Sequence, residues 1–547
     1  MGKKLDLEWV TQAIGEEYKK WNMGDIIKIN AQTGTGKTYF IKNKLIPNLE
    51  EYQNLLYICN RTNLKRQLKK DLLEQFDEKI PYVKNENGRY KLKNGKRILD
   101  IKELDKITTI GNVTITSYHA IQNSELDREY KINNINANYD YIVMDECHYI
   151  FADGSFNNKC RLAFDKLIKE NYHFSIKIFI SATMDDIEYC IDKSTEYILG
   201  SKPKVWQYTT KIDYSYVNTK YFIKIDDIIQ TIKNDKSDEK WLVFVSDLNV
   251  GEKIIDEIGK DKSSLIKAGT KNNKELNNII NNSKFEKKVL VSTKALDNGI
   301  NIDDKKMTNM VIMTWDKITF IQMLGRKRID IENAQEINLY IPTRYKKSFS
   351  SKINTYNKKR KEIELFNRDI NAFNRKYDND LDKIAKLNDL FYRDLNKEWK
   401  INKIGNLRLF LDMQFAGEMV KKFKVEGKFA FIYKQLEWIK RLDDFDEFNL
   451  IENIISNNEI DSLQKYLEKI QDEKLFDEEQ QELSNLIIKE LITISKDVDY
   501  RTQILKPSTI EKIIREDLNL NYAVSKSKKE TKGNMRNKRY IIITKIK

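Results

Sequence analysis

A short loop near the amino terminus carries residue types that bind phosphate. The segment INAQTGTGKTYFI, residues 29–41, places Gly34, Gly36, Lys37 and Thr38 between two apolar stretches. A predicted strand leads into the loop and a predicted helix begins near Lys37, so loop N–H groups and the positive end of the helix meet at one point. The glycines permit a tight turn. The lysine can reach the β- and γ-phosphates of a nucleotide and the threonine hydroxyl can bind Mg²⁺, which predicts a P-loop.

The predicted nucleotide site includes the whole loop. The pattern G-x-x-x-x-G-K-[ST] is followed except at its first position, where alanine replaces glycine. ATP and Mg²⁺ are the expected ligands. The predicted nucleotide-binding residues of the loop are Ala31, Gln32, Thr33, Gly34, Thr35, Gly36, Lys37 and Thr38.

An acidic pair follows a later apolar strand. The run YDYIVMDECHYIF reaches Asp145 and Glu146 directly after four apolar residues. At a strand end of the P-loop domain, Asp145 can hold the metal through water together with Thr38, and Glu146 can polarise the water that attacks the γ-phosphate. The alternative is a pair of solvated acids, which does not explain the apolar run that leads into them. A catalytic pair is therefore predicted.

The elements that position these residues follow one repeated pattern. Short Val/Ile/Leu-rich runs alternate with amphipathic, helix-patterned stretches from residue 25 to about residue 342. Continuous apolar runs indicate buried parallel strands, and their alternation with helices indicates βαβ units. The runs are DIIKIN, LLYICN, VTITS, YDYIVMDE, KIFISAT, WLVFVS, KKVLVST, NMVIMT and INLYIP.

The pattern divides the chain into four predicted parts. The turn-rich stretch LGSKPK separates an α/β domain at 1–201 from a second at 202–345. Dense mixed charge at helical spacing predicts a helical accessory region at 346–505. Residues 506–547 form a basic unit with one late strand, RYIIITKI. The predicted fold class is α/β, with two tandem parallel-sheet domains followed by a mainly helical carboxy-terminal region.

The composition favours a polyanionic partner. The 547 residues carry a formal net charge of +14, which suits nucleic acid before an acidic membrane, although a lysine-rich compositional habit is the alternative. No apolar run approaches the ~20 residues of a membrane span, and nothing resembles a signal peptide. A cytoplasmic protein without membrane contact is expected.

Further segments, in a fixed order, resemble the motifs of a known family. Asp145–His148 reads Asp-Glu-Cys-His, a DExH box, and AQTGTGKT resembles motif I of superfamily 2 helicases. The resemblance covers roughly residues 1–345. The matching segments are CNRTNLKRQL (motif Ia), TITSYHAI (Ib), SATM (III), VFVSDL (IV), STKALDNGINI (V) and QMLGRKR (VI). The chain thus resembles a DExH-box helicase with two RecA-like domains.

The resemblance implies roles at the nucleotide. Arg326, the first arginine of motif VI, corresponds to the arginine finger, and Gln322 to the residue that orients the γ-phosphate or its water. Arg328 stands one residue earlier than the family's second arginine, in a shortened GR-x-R form similar to that of herpesvirus-type origin-binding helicases. Gly299 and Asn301 of motif V correspond to positions near the ribose.

The resemblance also implies coupling residues. Ser181 and Thr183 of motif III would link hydrolysis to domain movement. His148 would bridge the DExH segment to motif VI across the cleft. The alternative for His148 is a partly buried histidine with satisfied hydrogen bonds.

Nucleic acid would cross both domains on the side remote from ATP. The matching positions are Arg61 and Thr62 of motif Ia, Thr116 and Ser117 of motif Ib, and Thr293 of motif V. Hydroxyl and loop N–H contacts to phosphates and sugars carry no sequence information, which suits a motor that grips any sequence.

The carboxy-terminal third leaves several interpretations open. A helix, a basic loop and a strand predict a winged-helix-like DNA-binding unit at 506–547, with a disordered basic tail as the alternative. Asp412, Glu426 and Lys428 have the spacing of a PD-(D/E)xK nuclease, a pattern common by chance. The helical region 346–505 could wedge a duplex or dock a protein partner.

Three functions are compatible with these observations. The first is an ATP-dependent helicase or translocase, with DNA preferred because of the motif VI form and the basic terminus. The second is an ATP-switched DNA-binding protein with little unwinding, acting in replication initiation or phage defence. The third is an RNA helicase.

Overall fold

The computed structural model of the chain describes most of its residues. Arg61 of motif Ia and the motif V segment 294–300, with Gly299, lie outside the described residues. The described residues are 2–60, 62–93, 95–126, 139–152, 159–169, 174–195, 203–267, 270, 273–293, 301–378, 383, 387, 389–394, 396–451, 463–494, 504–518, 520–531, 533 and 535–546.

The first domain is built on a seven-stranded sheet. The spatial order is β3-β4-β2-β5-β6-β1-β7, and all neighbours are parallel except β3 and β4. The P-loop follows β1 and the acidic pair ends β5, with only β6 between them, so both lie at the carboxyl edge of the sheet. The strands are β1 (Ile26–Asn30), β2 (Leu55–Ile58), β3 (Thr109–Ile110), β4 (Val113–Thr116), β5 (Tyr141–Asp145), β6 (Ile176–Ser181) and β7 (Val205–Thr209).

Both faces of this sheet are covered, which explains its continuous apolar runs. Ile27 and Ile29 of β1 join one buried cluster, while Ile26 joins a second cluster that also contains Met144 of β5. Successive strand residues face opposite sides of a sheet. A strand with apolar neighbours on both sides therefore favours apolar residues at successive positions. The buried Lys28 of β1 is an exception and is paired with Glu188.

The second domain repeats the design. Its seven strands lie in the order β10-β11-β9-β12-β13-β8-β14, all parallel. The two predicted RecA-like parallel-sheet domains are confirmed. Prediction missed β7, β8 and β10, in which polar residues interrupt the apolar run, and the two-residue strands β3 and β14. The strands are β8 (Val217–Phe222), β9 (Lys240–Phe244), β10 (Ser263–Ile266), β11 (Val289–Ser292), β12 (Met307–Ile312), β13 (Ile337–Pro342) and β14 (Leu450–Ile451).

The strand pairing also locates the change of domain. β7 pairs with β1 along its whole length and therefore belongs to the first sheet. The connection between the sheets is residues 210–216, later than the predicted boundary between 201 and 202. The stretch LGSKPK precedes an edge strand of the first domain.

Helices cover the sheets and form most of the carboxy-terminal region. Within the described part of the chain, no helix is long and apolar enough to cross a membrane. The P-loop helix Lys37–Phe40 continues as a π-helical turn, Ile41–Leu45. The other helices of the two domains and of the region that follows are Val10–Ile14, Thr62–Gln75, Ile101–Lys106, Tyr118–Leu126, His148–Ala152, Cys160–Phe164, Asp185–Thr195, Ile225–Asn234, Leu248–Ile258, Lys274–Asn282, Lys317–Leu324, Lys346–Arg368, Ile370–Tyr377, Lys403–Glu426 and Ala430–Trp438.

The long helix Lys403–Glu426 packs on both domains. Near its start, Ile404 is buried in a cluster of the first domain. Near its end, Met419 and Phe423 are buried in the main cluster of the second domain. This helix, called the bridging helix below, therefore fixes the accessory region to both domains.

The bridging helix also argues against the nuclease interpretation. Asp412 and Glu426 lie on this one helix, fourteen positions apart, which separates them by about 21 Å along the axis at 1.5 Å per residue. Asp412 forms an ion pair with Arg408 at 2.9 Å. Two carboxylates that far apart cannot share a metal ion, so the helix does not support the PD-(D/E)xK interpretation.

The chain ends in a small unit with its own buried core. Two isolated backbone bridges, Gln471 with Ile543 and Leu475 with Ile541, connect its first half to its last residues. Its packing begins at Leu463, inside the range predicted as the accessory region. The elements are helices Leu463–Lys469, Asp477–Ile494 and Pro507–Lys512 (continuing as Ile513–Asp517), an antiparallel pair Tyr522–Val524 and Ile543–Lys545, and an antiparallel pair Lys528–Lys529 and Arg539–Tyr540.

Candidate nucleotide-binding site

The P-loop adopts the conformation that its glycines permit. Gly34 and Gly36 have φ angles of +95° and +84°, in the left-handed region that side chains disfavour. A Cβ atom at Gly36 would also lie 3.2 Å from the ring of Trp9. The loop then enters the helix at Lys37. Substitution of either glycine would strain the loop.

Lys37 lies between the loop and the acidic pair. Its Nζ is 3.4 Å from the backbone oxygen of Ala31 and 3.4 Å from Oε1 of Glu146. Both side chains are about nine-tenths buried, which strengthens their electrostatic interaction. The predicted phosphate ligand and the predicted general base therefore face the same space.

Two buried tyrosines hold Asp145. The hydroxyl of Tyr57 donates to Oδ2 of Asp145 at 2.8 Å, and the hydroxyl of Tyr118 donates to its backbone oxygen at 3.1 Å. Burial, and then the nearby Asp145 carboxylate, raise the pKa of Tyr57 well above its ordinary value, so the phenol remains a donor. Sequence reasoning missed both tyrosines, although Tyr57 lies in a predicted strand and Tyr118 lies in the motif Ib segment.

The predicted metal ligands fit Mg²⁺. The Thr38 side chain also hydrogen-bonds Tyr57. The Thr38 hydroxyl and the Asp145 carboxylate therefore both contact the Tyr57 hydroxyl. This is an all-oxygen set of the kind that Mg²⁺ prefers, with room for the waters that it retains. Thr38 and Asp145 are the residues that would hold the ion.

Glu146 receives contacts from both domains. Its φ angle is +50°, unusual for a residue with a side chain, and such conformations cluster at functional sites. Its Oε2 accepts a hydrogen bond from Nε2 of Gln322 at 3.2 Å. Because Gln322 lies on helix Lys317–Leu324 of the second domain, the cleft between the domains is closed at this point.

Motif VI continues this contact. Nη2 of Arg326 donates to Oε1 of Gln322 at 3.2 Å, and both side chains are almost completely buried. At Gly325 an added Cβ would lie only 2.6 Å from Oγ1 of Thr33 in the P-loop. The two lobes therefore face each other, and the terminal amide of Gln322 contacts both Glu146 and Arg326.

A cavity of about 510 Å³ opens beside the P-loop. Its wall contains Lys37, Thr38 and Asp145 of the first domain and Asn301 and Arg328 of the second. Arg328, the second arginine of motif VI, thus lines the same cavity as Lys37. The volume suits a nucleotide-sized ligand.

The carboxyl end of motif V is joined to motif VI by backbone hydrogen bonds. The N–H of Ile302 donates to the oxygen of Arg326 at 2.8 Å, and the N–H of Arg328 donates to the oxygen of Ile302 at 2.9 Å. Beside them, Oδ1 of Asn301 is buried without a hydrogen-bond partner among the described residues. This acceptor is available to a bound ligand.

The predicted coupling residues form a cluster within the first domain. Nδ1 of His148 lies 3.1 Å from Oγ of Ser181 and 3.4 Å from Oε2 of Glu146. Oγ of Ser181 also accepts from the backbone N–H of Thr183 at 3.0 Å. His148 therefore links the DExH segment to motif III, while Gln322 reaches the DExH segment from the second domain.

The side chain of Gln32 is bound to the connection between the domains. Its amide makes two hydrogen bonds with the backbone of Asp213, both 2.9 Å long. The side chain of Gln32 is therefore not directed toward the phosphates, contrary to its predicted role in nucleotide binding. Sequence reasoning missed this contact because Asp213 is far away along the chain.

The predicted nucleic-acid residues lie at carboxyl ends of strands. Thr116 ends β4 beside β2, and Thr62 begins the helix after β2. Oγ of Ser117 accepts from the N–H of Ala120 at 3.2 Å and caps the next helix. Thr293 follows β11 in the other domain.

Thr293 borders a second cavity, of about 640 Å³. The opposite wall comes from the accessory helices and includes Lys352, Lys359 and Arg408. Lys359 and Arg408 are paired with acids in that wall. The cavity therefore combines polar and charged groups of both signs.

Two families match the chain, one for each domain. Residues 8–186 match the family described as type III restriction enzyme, res subunit, and residues 223–329 match the helicase conserved C-terminal domain. The matches support a superfamily 2 nucleic-acid helicase, a class of nucleic-acid-dependent ATPases. No curated protein matches the chain.

Solved helicase structures are distantly similar. S. cerevisiae Dbp5 bound to RNA and ADP BeF3 is 13% identical, over 58% of this chain and 79% of that chain, with a TM-score of 0.41. The DEAD-box helicase Mss116 bound to ssRNA and UDP-BeF is 14% identical, over 65% and 71%, with a TM-score of 0.41. Mycobacterium smegmatis helicase Lhr bound to ssDNA and AMP-PNP is 12% identical, over 73% and 59%, with a TM-score of 0.40.

Proposed function

We propose that the protein is an ATP-dependent helicase or translocase of the DExH type that acts on DNA. The observation that carries the proposal is the continuous set of contacts from Lys37 through Glu146 and Gln322 to Arg326. This set joins the phosphate-binding loop of one domain to a guanidinium of the other. It is the arrangement that an ATPase needs when hydrolysis and domain movement are linked.

The residues have distinct roles in the proposed reaction. Lys37 offsets charge on the β- and γ-phosphates, and Glu146 accepts the proton of the attacking water. Gln322 orients that water or the γ-phosphate, and Arg326 stabilises the charge that develops in the transition state. Arg328 is a second candidate for this last role because it lines the cavity beside Lys37.

The metal and the ribose complete the proposed site. Mg²⁺, when held by Thr38 and Asp145, would neutralise negative charge on the phosphates. Asn301, with its buried acceptor, would contact the ribose together with Gly299. The hydroxyl group of Ser181, between His148 and Thr183, would transmit a change at Glu146 to motif III.

Single-stranded nucleic acid would cross the two carboxyl edges. Thr62, Thr116 and Ser117, with Arg61, would contact the backbone on the first domain, and Thr293 on the second. As the cleft closes and reopens, the two domains bind the nucleic-acid backbone alternately and the strand advances. DNA is proposed over RNA because of the motif VI form and the basic carboxy-terminal unit.

The test measures ATP turnover and strand displacement on tailed DNA and RNA duplexes of both polarities. Lys37→Ala and Arg326→Ala should each abolish stimulated turnover; loss of an arginine finger alone costs about 10³–10⁵-fold. Normal turnover in the Arg326→Ala variant would show that the motif VI assignment is wrong. Stimulation by RNA alone would favour the RNA-helicase alternative.

A second candidate is an ATP-switched DNA-binding protein. The observation that favours it is the basic hairpin, defined as residues 526–539 of the carboxy-terminal unit. Glu530 opposes the cations and is paired with Lys474. Exposed cations on this hairpin suit the phosphates of a duplex. They are Lys526, Lys528, Lys529, Arg536, Lys538 and Arg539.

Three hairpin substitutions separate the two functions. A variant with Lys528→Ala, Lys529→Ala and Arg539→Ala should lose duplex affinity, while a matched variant at the exposed Lys260, Lys262 and Lys284 should not. Tight duplex binding with negligible unwinding in the unaltered protein would favour the binding function. Retained unwinding by the hairpin variant on single-strand tails would favour the motor.

A further inference from the structure

Gln32 lies where the P-loop meets the connection between the domains. Because β7 runs beside β1, residues 210–216 leave the first domain next to the loop. Nε2 of Gln32 donates to the backbone oxygen of Asp213, and Oε1 accepts from the backbone N–H of the same residue, each at 2.9 Å. The N–H of Gln32 also donates to Oγ1 of Thr210 at 3.0 Å. The first half of the connection is thus bound to the P-loop.

The second half of the connection belongs to the other domain. Tyr214, Tyr216 and Val217 are all buried in the main apolar cluster of the second domain. The backbone immediately after Asp213 is therefore where a rotation between the domains must be absorbed. Gln32 binds Asp213, the residue directly before this hinge.

A second segment of the chain crosses at the same place. The buried Leu5 donates its N–H to the backbone oxygen of Ile331, just after motif VI, at 2.9 Å. The N–H of Asp6 donates to Oδ2 of Asp213 at 2.7 Å. The loop that carries Arg326 is therefore also connected, through the amino-terminal segment, to the residue that Gln32 binds.

We propose that Gln32 is a positioning residue that couples the P-loop to movement of the second domain. When bound phosphates displace the P-loop, the Gln32 amide displaces Asp213 with it. This movement changes the direction from which Gln322 and Arg326 approach the nucleotide. Gln32 is almost completely buried, and its two hydrogen bonds to one residue make this link stiff. The inference rests on the proposed ATPase function and adds a residue outside the chemical step.

The first test replaces the amide by a side chain of similar length without its hydrogen bonds. Gln32→Met should lower kcat measured with saturating single-stranded DNA by about tenfold, in the range of ordinary coupling between sites. KM for ATP should change much less, because the substituted side chain faces the connection and not the cavity. The quantity to compare between variants is the stimulation quotient, which is turnover with saturating single-stranded DNA divided by turnover without DNA.

Gln435→Met is the matched control. Gln435 is a fully buried glutamine whose amide donates to the backbone oxygens of Pro342 and Phe431 at 3.0 and 3.1 Å. Its loss removes two buried hydrogen bonds that lie within the second domain and do not reach the P-loop. Similar melting temperatures for the two variants, with a lower stimulation quotient only for Gln32→Met, would support coupling.

Gln32→Glu provides a readout that a merely structural role would not alter. The introduced carboxyl still accepts from the N–H of Asp213, but it can donate to the Asp213 oxygen only when protonated. Burial raises a carboxyl pKa above its ordinary value of about 4.3. The stimulation quotient of this variant, relative to the unaltered protein, should therefore rise as the pH falls from about 8 to about 6.

The outcomes separate this inference from the proposed function. If single strands do not stimulate the unaltered protein, the motor function fails. If they do, and Gln32→Met is stimulated as strongly as Gln435→Met, the coupling role is overturned while the motor stands. A Gln32→Glu profile parallel to that of the unaltered protein would also overturn it.

Discussion

Asp145 illustrates how single side chains prepare the site. Tyr57 donates to its charged carboxylate, whereas Tyr118 donates to its neutral backbone oxygen. Hydrogen bonds to charged groups contribute about 1.5–3 kcal/mol, and those between neutral groups about 0.5–1.5 kcal/mol. The two tyrosines are similarly buried, so they offer a direct comparison of the two kinds of bond.

Tyr57→Phe should therefore destabilise the protein more than Tyr118→Phe. The first substitution leaves a buried carboxylate without this donor, and the second leaves a carbonyl. We expect the free energies of unfolding to differ by about 1 kcal/mol. Urea denaturation of both variants measures the difference, and a larger effect for Tyr118→Phe would contradict it.

Glu146 combines an unusual backbone conformation with contacts from both domains. We expect Glu146→Gln to lower ATP turnover by about 10²–10⁴-fold, because the general base is lost. Nucleotide binding should persist, since Lys37 and the loop are unchanged. ATP turnover and equilibrium binding of a fluorescent nucleotide, measured on the same variant, check the two expectations. Loss of nucleotide binding would mean that Glu146 has a structural role.

The bridging helix shows how one element can join both domains. Its first turn is buried in one domain and its last turns in the other. A rotation of the domains must therefore displace at least one end of this helix. Through this helix, the accessory region can oppose or follow closure of the cleft.

Ile404→Ala tests that attachment. Removing a buried isoleucine side chain costs about 2–5 kcal/mol, so the melting temperature should fall by several degrees. Phe410→Ala, at a half-exposed position of the same helix, is the control and should change the melting temperature little. Equal shifts would mean that Ile404 does not anchor the helix.

The whole molecule carries the charge that the proposed partner requires. With a net charge of +14, binding of a nucleic acid should release counterions and weaken steeply with salt. We expect the apparent affinity for single-stranded DNA to fall at least about tenfold between roughly 50 and 200 mM salt. Fluorescence anisotropy over this range measures the slope, and a flat response would contradict backbone binding.

The motifs and the parallel strands were predictable because their determinants are local. The P-loop glycines, the apolar runs and the acids that end β5 lie within short stretches of sequence. An arginine separated from its partner by one helical turn, such as Arg326 from Gln322, also follows a spacing that can be read along the chain.

Contacts between distant segments were decided only by the tertiary structure. The edge strand β7 is assigned by its pairing with β1, and the hydrogen bonds from Tyr57 to Asp145 and from Gln32 to Asp213 join residues far apart in sequence. Side-chain type restricts which hydrogen bonds a residue can make. Which partner it meets depends on how the sheets and the two domains pack, and no local pattern encodes that packing.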